Sequence, residues 1–188
     1  KNIQCIESKK RYEFLFTESD QLKINNVLLG HHQNDLFENF IIRMIRGSGL
    51  KGLVSLDKLK KTNGKNLLRP LINEKKDDLI LVSKKVFSTY INDPANHDEK
   101  YLRIHVRKLI EEFEKKGLDK KKFITTIKNL KHSNNVVDYY VKKNLEKNTF
   151  FLKKEDKLFL KKEYFDQPFE IIFRSLSESI KFIGKKKN

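Results

Sequence analysis

The sequence contains few cysteines, prolines and glycines. It has one cysteine, three prolines, seven glycines and no tryptophan among 188 residues. The single Cys5 excludes a disulfide framework and a CxxC metal or redox site within these residues, which fits a reducing compartment and predicts a cytoplasmic protein. No apolar stretch approaches the ~20 residues that a membrane span requires, and no signal peptide is visible. We therefore expect no membrane partner.

Positive charge dominates what is present. Lysines and arginines number 41 against 25 aspartates and glutamates, which gives a net charge of +16. Apolar residues make up 38% of the chain and include 14 phenylalanines, so a core is possible. The basic excess favours a nucleic-acid partner or an anionic membrane surface. The alternative is a lysine-rich surface that reflects genome composition and has no binding role.

The first 50 residues follow the pattern of an open α/β sheet. A helix is predicted over 8–23, a short buried strand over 26–30 and a second helix over 34–46. The second helix is apolar on most of its circumference, so we expect it to be buried. Its apolar residues are Leu36, Phe37, Phe40, Ile41, Met44 and Ile45. Ligands of such sheets bind where strands end and helices begin, which here is the segment 31–35.

The remaining residues predict a hairpin and then several helices. Asn63-Gly64 is a favourable hairpin turn. An amphipathic helix is predicted over 74–89, and another over 98–116. The inward residues expected for the first of these are Leu79, Val82, Val86 and Phe87. Gly117 is the predicted domain boundary, because helices over 119–148 and 167–183 dominate beyond it, with a strand or a loop over 149–160. Residues 118–188 hold 18 basic and 9 acidic residues, against 23 and 16 in residues 1–117.

Two histidines and two carboxylates at the predicted strand end form the first candidate site. Asp35 and Glu38 are three residues apart and share a helix face. They could hold Mg²⁺ or act as a base. For Asp35 the alternative is a helix cap that favours the helix dipole. His31 and His32 point about 100° apart on a helix and have no third ligand at a zinc spacing, so we favour a polar, substrate-facing strand end over a zinc site.

Two further segments are candidates for binding phosphate. After the second helix, Arg46 could fork onto a phosphate while the backbone of Gly47-Ser48-Gly49 approaches it; the alternative is an ordinary glycine stop. Farther along, Arg103 and Arg107 form one basic face behind the turn 93–96. The alternative there is a solvated helix face whose arginines pair with Glu99 or Glu111.

In this order, these motifs resemble the tRNA(Ile)-lysidine synthetases, which are ATP-pyrophosphatase-loop enzymes. The family block H-H-x-D-D-Q-A-E-T, a helix and R-G-S-G-x-x-G-L stands here as HHQNDLFENFIIRMIRGSGLKGL. The family's R-P-L turn is matched by Arg69-Pro70-Leu71, its D-P-S-N element by Asp93-Pro94-Ala95-Asn96, and its R-Y-x-F-L segment by RYEFL at 11–15. Departures are Asn34, Leu36, Asn39 and Ile104, which stand where the family has Asp, Gln, Thr and Asn.

The family's phosphate loop, S-G-G-x-D-S, does not occur among the 188 residues. The glycines are at 30, 47, 49, 52, 64, 117 and 184, and none of them forms it. We therefore expect the chain to be a fragment that lacks the N-terminal phosphate loop and does not bind ATP competently by itself.

The resemblance implies a fold and a reaction. Residues 1–117 would be the C-terminal part of an open, mostly parallel, Rossmann-like ATP-pyrophosphatase domain, and residues 118–188 a basic, mainly helical tRNA-binding domain. The enzyme, a ligase forming a carbon–nitrogen bond, would use ATP to adenylate the C2 oxygen of the wobble cytidine of tRNA(Ile) with anticodon CAU. L-lysine would then displace AMP to give lysidine. The resemblance also allows a homodimer.

The resemblance and the residue patterns together assign roles. Asp35, Glu38, His31 and His32 are the expected catalytic residues, with Mg²⁺ a cofactor beside ATP and Asp35 its candidate ligand. The expected substrate and phosphate contacts are Arg46, Ser48, Arg69, Asp93, Asn96, Arg103 and Arg107. The expected RNA contacts are Lys142, Lys143, Lys153 and Lys154. Which residue is the general base stays open.

Two other functions fit parts of the sequence. A tRNA thiolase of the same superfamily is one; many of these use paired cysteines, and Cys5 alone argues against it. A non-catalytic RNA-binding module is the other. It explains the charge but leaves the His31 to Glu38 block unexplained.

Overall fold

A computed structural model describes residues 3–62, 64–90, 101–153 and 155–184, with the side chains of residues 3–8 excepted. The chain divides into two compact units, Lys1–Thr125 and Thr126–Asn188. None of the described helices is both long and apolar enough to cross a membrane.

The first unit combines helices with a small sheet. Its elements are α1 (Ile3–Gln21), β1 (Asn26–Leu28), α2 (Gln33–Ile45), α3 (Leu50–Leu53), β2 (Leu59–Thr62), β3 (Lys65–Leu68), α4 (Lys76–Phe87), α5 (Leu102–Lys115) and the beginning of α6 (Lys120–Asn148). The strand order is β1-β3-β2. β1 and β3 are parallel, with Val27 opposite Leu67, whereas β2 and β3 form an antiparallel hairpin. The α/β class is thus as predicted. A mostly parallel, Rossmann-like sheet remains a prediction, because the described strands form one parallel and one antiparallel pair.

The core of this unit lies between α2 and α5. Phe37 and Ile41 of α2 and Val106 of α5 are buried. Phe123 at the beginning of α6 stacks on Phe37, with ring centroids 5.1 Å apart, and meets Phe40 edge-on at 5.2 Å. α2 also packs on α5, which brings Glu38 of α2 to Arg107 of α5 and so positions the candidate site.

Some expected core residues lie on the surface. Met44 and Ile45 at the end of α2 are exposed, as are Val82, Val86 and Phe87 of α4. Helical periodicity shows that one side of a helix is apolar, but it does not show that another element covers that side along its whole length. The first residues of the predicted helix 98–116 lie outside the described residues, and α5 itself begins at Leu102.

The second unit contains helices and a hairpin. It holds most of α6, the strands β4 (Thr149–Leu152) and β5 (Lys157–Leu160), a 3-10 turn (Lys162–Tyr164) and α7 (Phe169–Gly184). β4 and β5 pair antiparallel, so the segment 149–160 is a hairpin rather than a loop. Asn144 is buried and donates to the hydroxyl of Ser175 at 3.2 Å and to the carbonyl of Tyr164 at 3.3 Å. A boundary at Gly117 and a separate tRNA-binding domain over 118–188 stay predictions.

Candidate active site at the end of the first strand

The segment between β1 and α2 is held by a helix cap. His32 is the N-cap residue; its Nδ1 accepts the backbone N–H of Asn34 at 3.2 Å. Asp35 accepts the backbone N–H of His32 at 2.9 Å through Oδ2. These two bonds form a capping box, which satisfies donors that a helix start leaves without partners. Asp35 therefore does cap α2, and its second oxygen, Oδ1, is the one left to face other groups.

Glu38 lies one turn farther along α2 and is almost completely buried, with 1% of its surface exposed. Its Oε1 lies 2.6 Å from Nε of Arg107, and its Oε2 lies 3.9 Å from Nε of Arg103. A terminal nitrogen of Arg103 also lies 3.9 Å from Oδ1 of Asp35. The two α5 arginines thus share one face, as predicted, and that face meets the two carboxylates of α2. Glu99, one of the alternative partners expected for these arginines, lies outside the described residues.

Arg69 brings a cation from the neighbouring strand to the same edge. Leu68 at the end of β3 is opposite Leu28 at the end of β1 in the parallel pair. Arg69 therefore leaves the sheet at the same edge as the segment that leads from β1 to His31. The Arg69 side chain is buried, and one terminal nitrogen donates to the carbonyl of Asp57 at 2.8 Å. Its Nε is buried without a hydrogen-bond partner among the described residues.

The surroundings of His31 lower its pKa, which favours the neutral imidazole. Burial lowers the pKa of His31 below its ordinary 6.5; Asp35 opposes this shift, whereas Arg69, Arg103 and Arg11 add to it. Its Nδ1 is buried and has no hydrogen-bond partner among the described residues. A neutral imidazole with an unused ring nitrogen can accept or donate a single hydrogen bond to a substrate.

We call His31, Asp35, Glu38, Arg69, Arg103 and Arg107 the strand-end cluster. The sequence predicted all six as site residues, but it did not predict which carboxylate pairs with which arginine. Glu38 and Arg107 are 69 positions apart, and no local pattern connects them. Arg11 of α1, which acts electrostatically on His31, was not predicted as a site residue. Its only signal was its place in the RYEFL segment.

The Arg46-Gly47-Ser48-Gly49 segment ends α2 with a glycine stop. Gly47 has a positive φ of 66°, and its N–H donates to the carbonyl of Met44 at 3.0 Å. The N–H of Ser48 donates to the carbonyl of Arg43 at 3.0 Å. This is the Schellman arrangement, in which the backbone donors satisfy helix carbonyls. These two N–H groups are therefore occupied, which corrects the expectation that they approach an anion. The exposed Arg46 side chain and the Ser48 hydroxyl keep their predicted roles as proposals.

Other predicted contacts are distributed elsewhere. Asp93, Asn96 and Lys154 lie outside the described residues. Lys142, Lys143 and Lys153 are exposed residues of the second unit. Lys142 lies 3.6 Å from Glu146, and Lys143 lies over the ring of Tyr139.

The surroundings of Asp35 do not fit a Mg²⁺ ion. Mg²⁺ prefers carboxylate oxygens and water in a near-octahedral arrangement. One oxygen of Asp35 accepts a backbone N–H, the other faces Arg103, and Glu38 is paired with Arg107. Among the described residues, no group of three or more histidine, cysteine, aspartate or glutamate side chains could hold a metal ion. Arginines outnumber carboxylates here, so the cluster suits an anion such as phosphate better than a cation.

Comparison with known proteins identifies the class of protein first. The model of the PP-loop domain family matches residues 1–113, and the chain belongs to that family. Among curated proteins, the chain is 40% identical over 109 residues to a protein named tRNA(Ile)-lysidine synthase from Orientia tsutsugamushi (strain Boryong). That match covers 58% of this chain and 24% of the relative.

Two other relatives carry the same name. The protein from Wolbachia pipientis wMel is 30% identical over 141 residues, covering 75% of this chain and 33% of its own length. The protein from Francisella tularensis subsp. holarctica (strain OSU18) is 38% identical over 109 residues, covering 58% and 27%. The chain thus spans about a quarter to a third of the length of these relatives. The predicted resemblance to the tRNA(Ile)-lysidine synthetases is confirmed.

Proposed function

We propose that the chain forms part of a tRNA(Ile)-lysidine synthetase. The enzyme ligates lysine to C2 of the wobble cytidine of tRNA(Ile) with anticodon CAU, using ATP and an adenylated tRNA intermediate. The observation that carries this proposal is the strand-end cluster in a PP-loop domain whose relatives are named tRNA(Ile)-lysidine synthase. The cluster supplies a carboxylate, a neutral histidine and several arginines at the edge where α/β sheets bind ligands.

The reaction requires a neutral lysine amine. The ordinary pKa of a lysine amine is ~10.4, so the amine must lose a proton before it attacks C2 and AMP leaves. Asp35 is the carboxylate proposed to bind the amine, because Oδ1 is its one oxygen not used by the cap. His31, with its unused Nδ1, and His32 beside it remain candidates for receiving the proton, and Glu38 contributes by orienting two arginines.

The arginines are proposed to act on the anionic parts of the substrates. Adenylation releases pyrophosphate, whose charge grows in the transition state and is stabilised by fixed cations. The candidates for these cations among the described residues are Arg69, Arg103 and Arg107. The exposed Arg46, which follows α2, is a further candidate. Asp93 and Asn96 are proposed from the motif alone. The wobble cytidine must leave its stack to react, which an anticodon loop permits at low energetic expense.

The second unit is proposed to bind the tRNA backbone. Lys142, Lys143, Lys153 and Lys154 would contact phosphates and make the affinity depend strongly on salt.

The test uses the whole open reading frame that contains these residues. The purified protein is incubated with ATP, labelled lysine and a tRNA(Ile) transcript with anticodon CAU. We expect label in the RNA, dependent on ATP and absent from a transcript whose wobble cytidine is replaced by uridine. In a parallel reaction with ATP and added sulfide as the sulfur donor, thiolation of the transcript without lysine transfer would indicate a thiolase. RNA binding without either reaction would indicate a binding module.

Asp35→Asn isolates the charge of Asp35. The amide oxygen of asparagine is an acceptor, so it can still accept the N–H of His32. We expect lysine transfer to fall by about 10²-fold or more, in the range for the loss of a group that positions a reactant. The matched control is Asp77→Asn, which removes a carboxylate from the first turn of α4. Near-normal turnover of Asp35→Asn would contradict the role assigned to Asp35.

A further inference from the structure

Two adjacent tyrosines of α6 lie on the surface of the second unit. Tyr139 is 60% exposed and Tyr140 is 49% exposed. Their ring centroids are 5.3 Å apart and their planes are inclined by 82°. Val136, one turn earlier, is exposed as well. Large aromatic side chains usually contribute to a core or an interface, so a contiguous exposed set indicates a binding surface.

Two lysines follow these tyrosines on the same helix, and one of them contacts a ring. Nζ of Lys143 lies 5.8 Å from the centroid of the Tyr139 ring, which is the geometry of a cation–π contact. Lys142 is exposed on the adjacent helix position. The residues from 126 to 188 hold 15 basic and 8 acidic residues, so the unit is positively charged overall. Val136, Tyr139, Tyr140, Lys142 and Lys143 together are called the tyrosine–lysine patch.

We propose that the tyrosine–lysine patch binds unpaired nucleotides of RNA, with bases stacked on Tyr139 and Tyr140 and phosphates beside Lys142 and Lys143. Charge complementarity selects a polyanion as the occupant. The rings select an RNA with unstacked bases, because every base has a π-face to offer an aromatic side chain only when it is out of a duplex. The identification of this RNA as a tRNA rests on the proposed function. The stacking of unpaired bases on the tyrosines is independent of it.

The patch therefore predicts a preference for single-stranded over double-stranded RNA. A lysine-rich surface without aromatic side chains would contact phosphates of both kinds of RNA. Stacking contributes an amount per base that corresponds to at least several-fold in affinity. The exposed rings, rather than the charge, should thus carry the difference between the two kinds of RNA.

The experiment measures binding of two RNAs to the whole protein by fluorescence anisotropy. One probe is a stem–loop with the CAU anticodon loop; the other is a blunt duplex of the same stem. For Tyr139→Ala with Tyr140→Ala we expect loop affinity to fall about tenfold or more, with duplex affinity unchanged within about twofold. Replacing both tyrosines by phenylalanine should keep loop affinity within about twofold, because the stacking face is retained.

Two control variants separate stacking from other effects. Phe173→Ala removes an exposed aromatic ring of matching exposure, 59%, from α7, and should leave both affinities unchanged. Lys142→Ala with Lys143→Ala should weaken both RNAs, and should make the dependence of log affinity on log salt shallower by ~1.4 for the loop, since each single-strand phosphate contact contributes ~0.7.

Several outcomes would overturn the stacking proposal. The alanine pair could bind the loop as tightly as the unaltered protein, or lose loop and duplex binding equally. It could also leave RNA binding intact while changing the hydrodynamic size, which would assign the patch to a protein contact. If the unaltered protein transfers lysine but the alanine pair keeps full loop affinity, the patch proposal is refuted and the proposed function is not. If the alanine pair loses loop affinity but the unaltered protein transfers no lysine, the proposed function is refuted and the patch proposal is not.

Discussion

The ion pair between Glu38 and Arg107 makes an unequal prediction for its two partners. Glu38 is buried to 1% exposure, whereas the side chains of Arg107 and Arg103 are 32% and 43% exposed. Removing an arginine leaves a buried carboxylate with only a more distant partner at 3.9 Å. Removing the carboxylate leaves two arginines that water already reaches. The first loss should therefore destabilise the protein more than the second.

The magnitudes follow from burial. Breaking a buried pair so that one charge stays uncompensated typically costs about 3–5 kcal/mol. Because Arg103 remains near Glu38, we expect about 3 kcal/mol for Arg107→Met, a change that keeps most of the apolar stem. Glu38→Gln preserves shape and an acceptor oxygen, so we expect about 1 kcal/mol, which is the scale of one hydrogen bond. The double variant should be more stable than Arg107→Met by about 2 kcal/mol, since the uncompensated charge is gone.

Thermal unfolding of the 188-residue chain, followed by far-UV circular dichroism, measures this cycle. For a chain of 150–250 residues, 1 kcal/mol shifts Tm by roughly 2–4 °C. Arg107→Met should therefore lower Tm by about 6–12 °C and Glu38→Gln by about 2–4 °C. A Tm for Glu38→Gln that lies at or below that of Arg107→Met, or a double variant no more stable than Arg107→Met, would refute the assignment of Glu38 as the desolvated partner.

Two other predictions concern the same unit. The pKa of His31 is lower in the folded protein than the ordinary 6.5, so the unfolded chain binds more protons and stability rises with pH. The contribution of His31 to the free energy of unfolding is present above about pH 6.5 and is lost as pH falls through the folded pKa. His31→Asn should flatten this part of a plot of Tm against pH. An unchanged slope would contradict the prediction. Separately, a Cβ at Gly52 would lie 2.8 Å from Cβ of Ser48. Gly52→Ala should lower Tm, and adding Ser48→Gly should recover part of the loss. Without recovery, the lower Tm would not be caused by the contact with Ser48.

Local features of the structure could be predicted from the sequence because their causes are local. The apolar run and the turn residues around it predicted α2 within one residue at each end. Asn63-Gly64 predicted the β2–β3 hairpin, and Gly47 predicted the end of α2. In each case the determining interaction joins residues within a few positions of one another, so one sequence contains the whole signal.

Features that depend on distant contacts could not be predicted. The apolar face of α4 is exposed at Val82, Val86 and Phe87, although its spacing is that of a helix packed on a core. The cap of α2 was an alternative stated for Asp35, but which carboxylate pairs with an arginine was open. The division of roles depends on α5, whose Arg107 reaches Glu38.

That division has a chemical consequence under the proposed function. The strand-end cluster holds two carboxylates with Arg103 and Arg107 near them, and Arg69 and Arg11 act electrostatically on His31. A lysine ammonium that enters this field is repelled by the arginines, which lowers the pKa of its amine and favours the neutral, nucleophilic form. The protein then does not need a strong base at the site. It needs one carboxylate that directs the amine, and a second that pairs with Arg107. Asp35 and Glu38 occupy these two positions on one helix face.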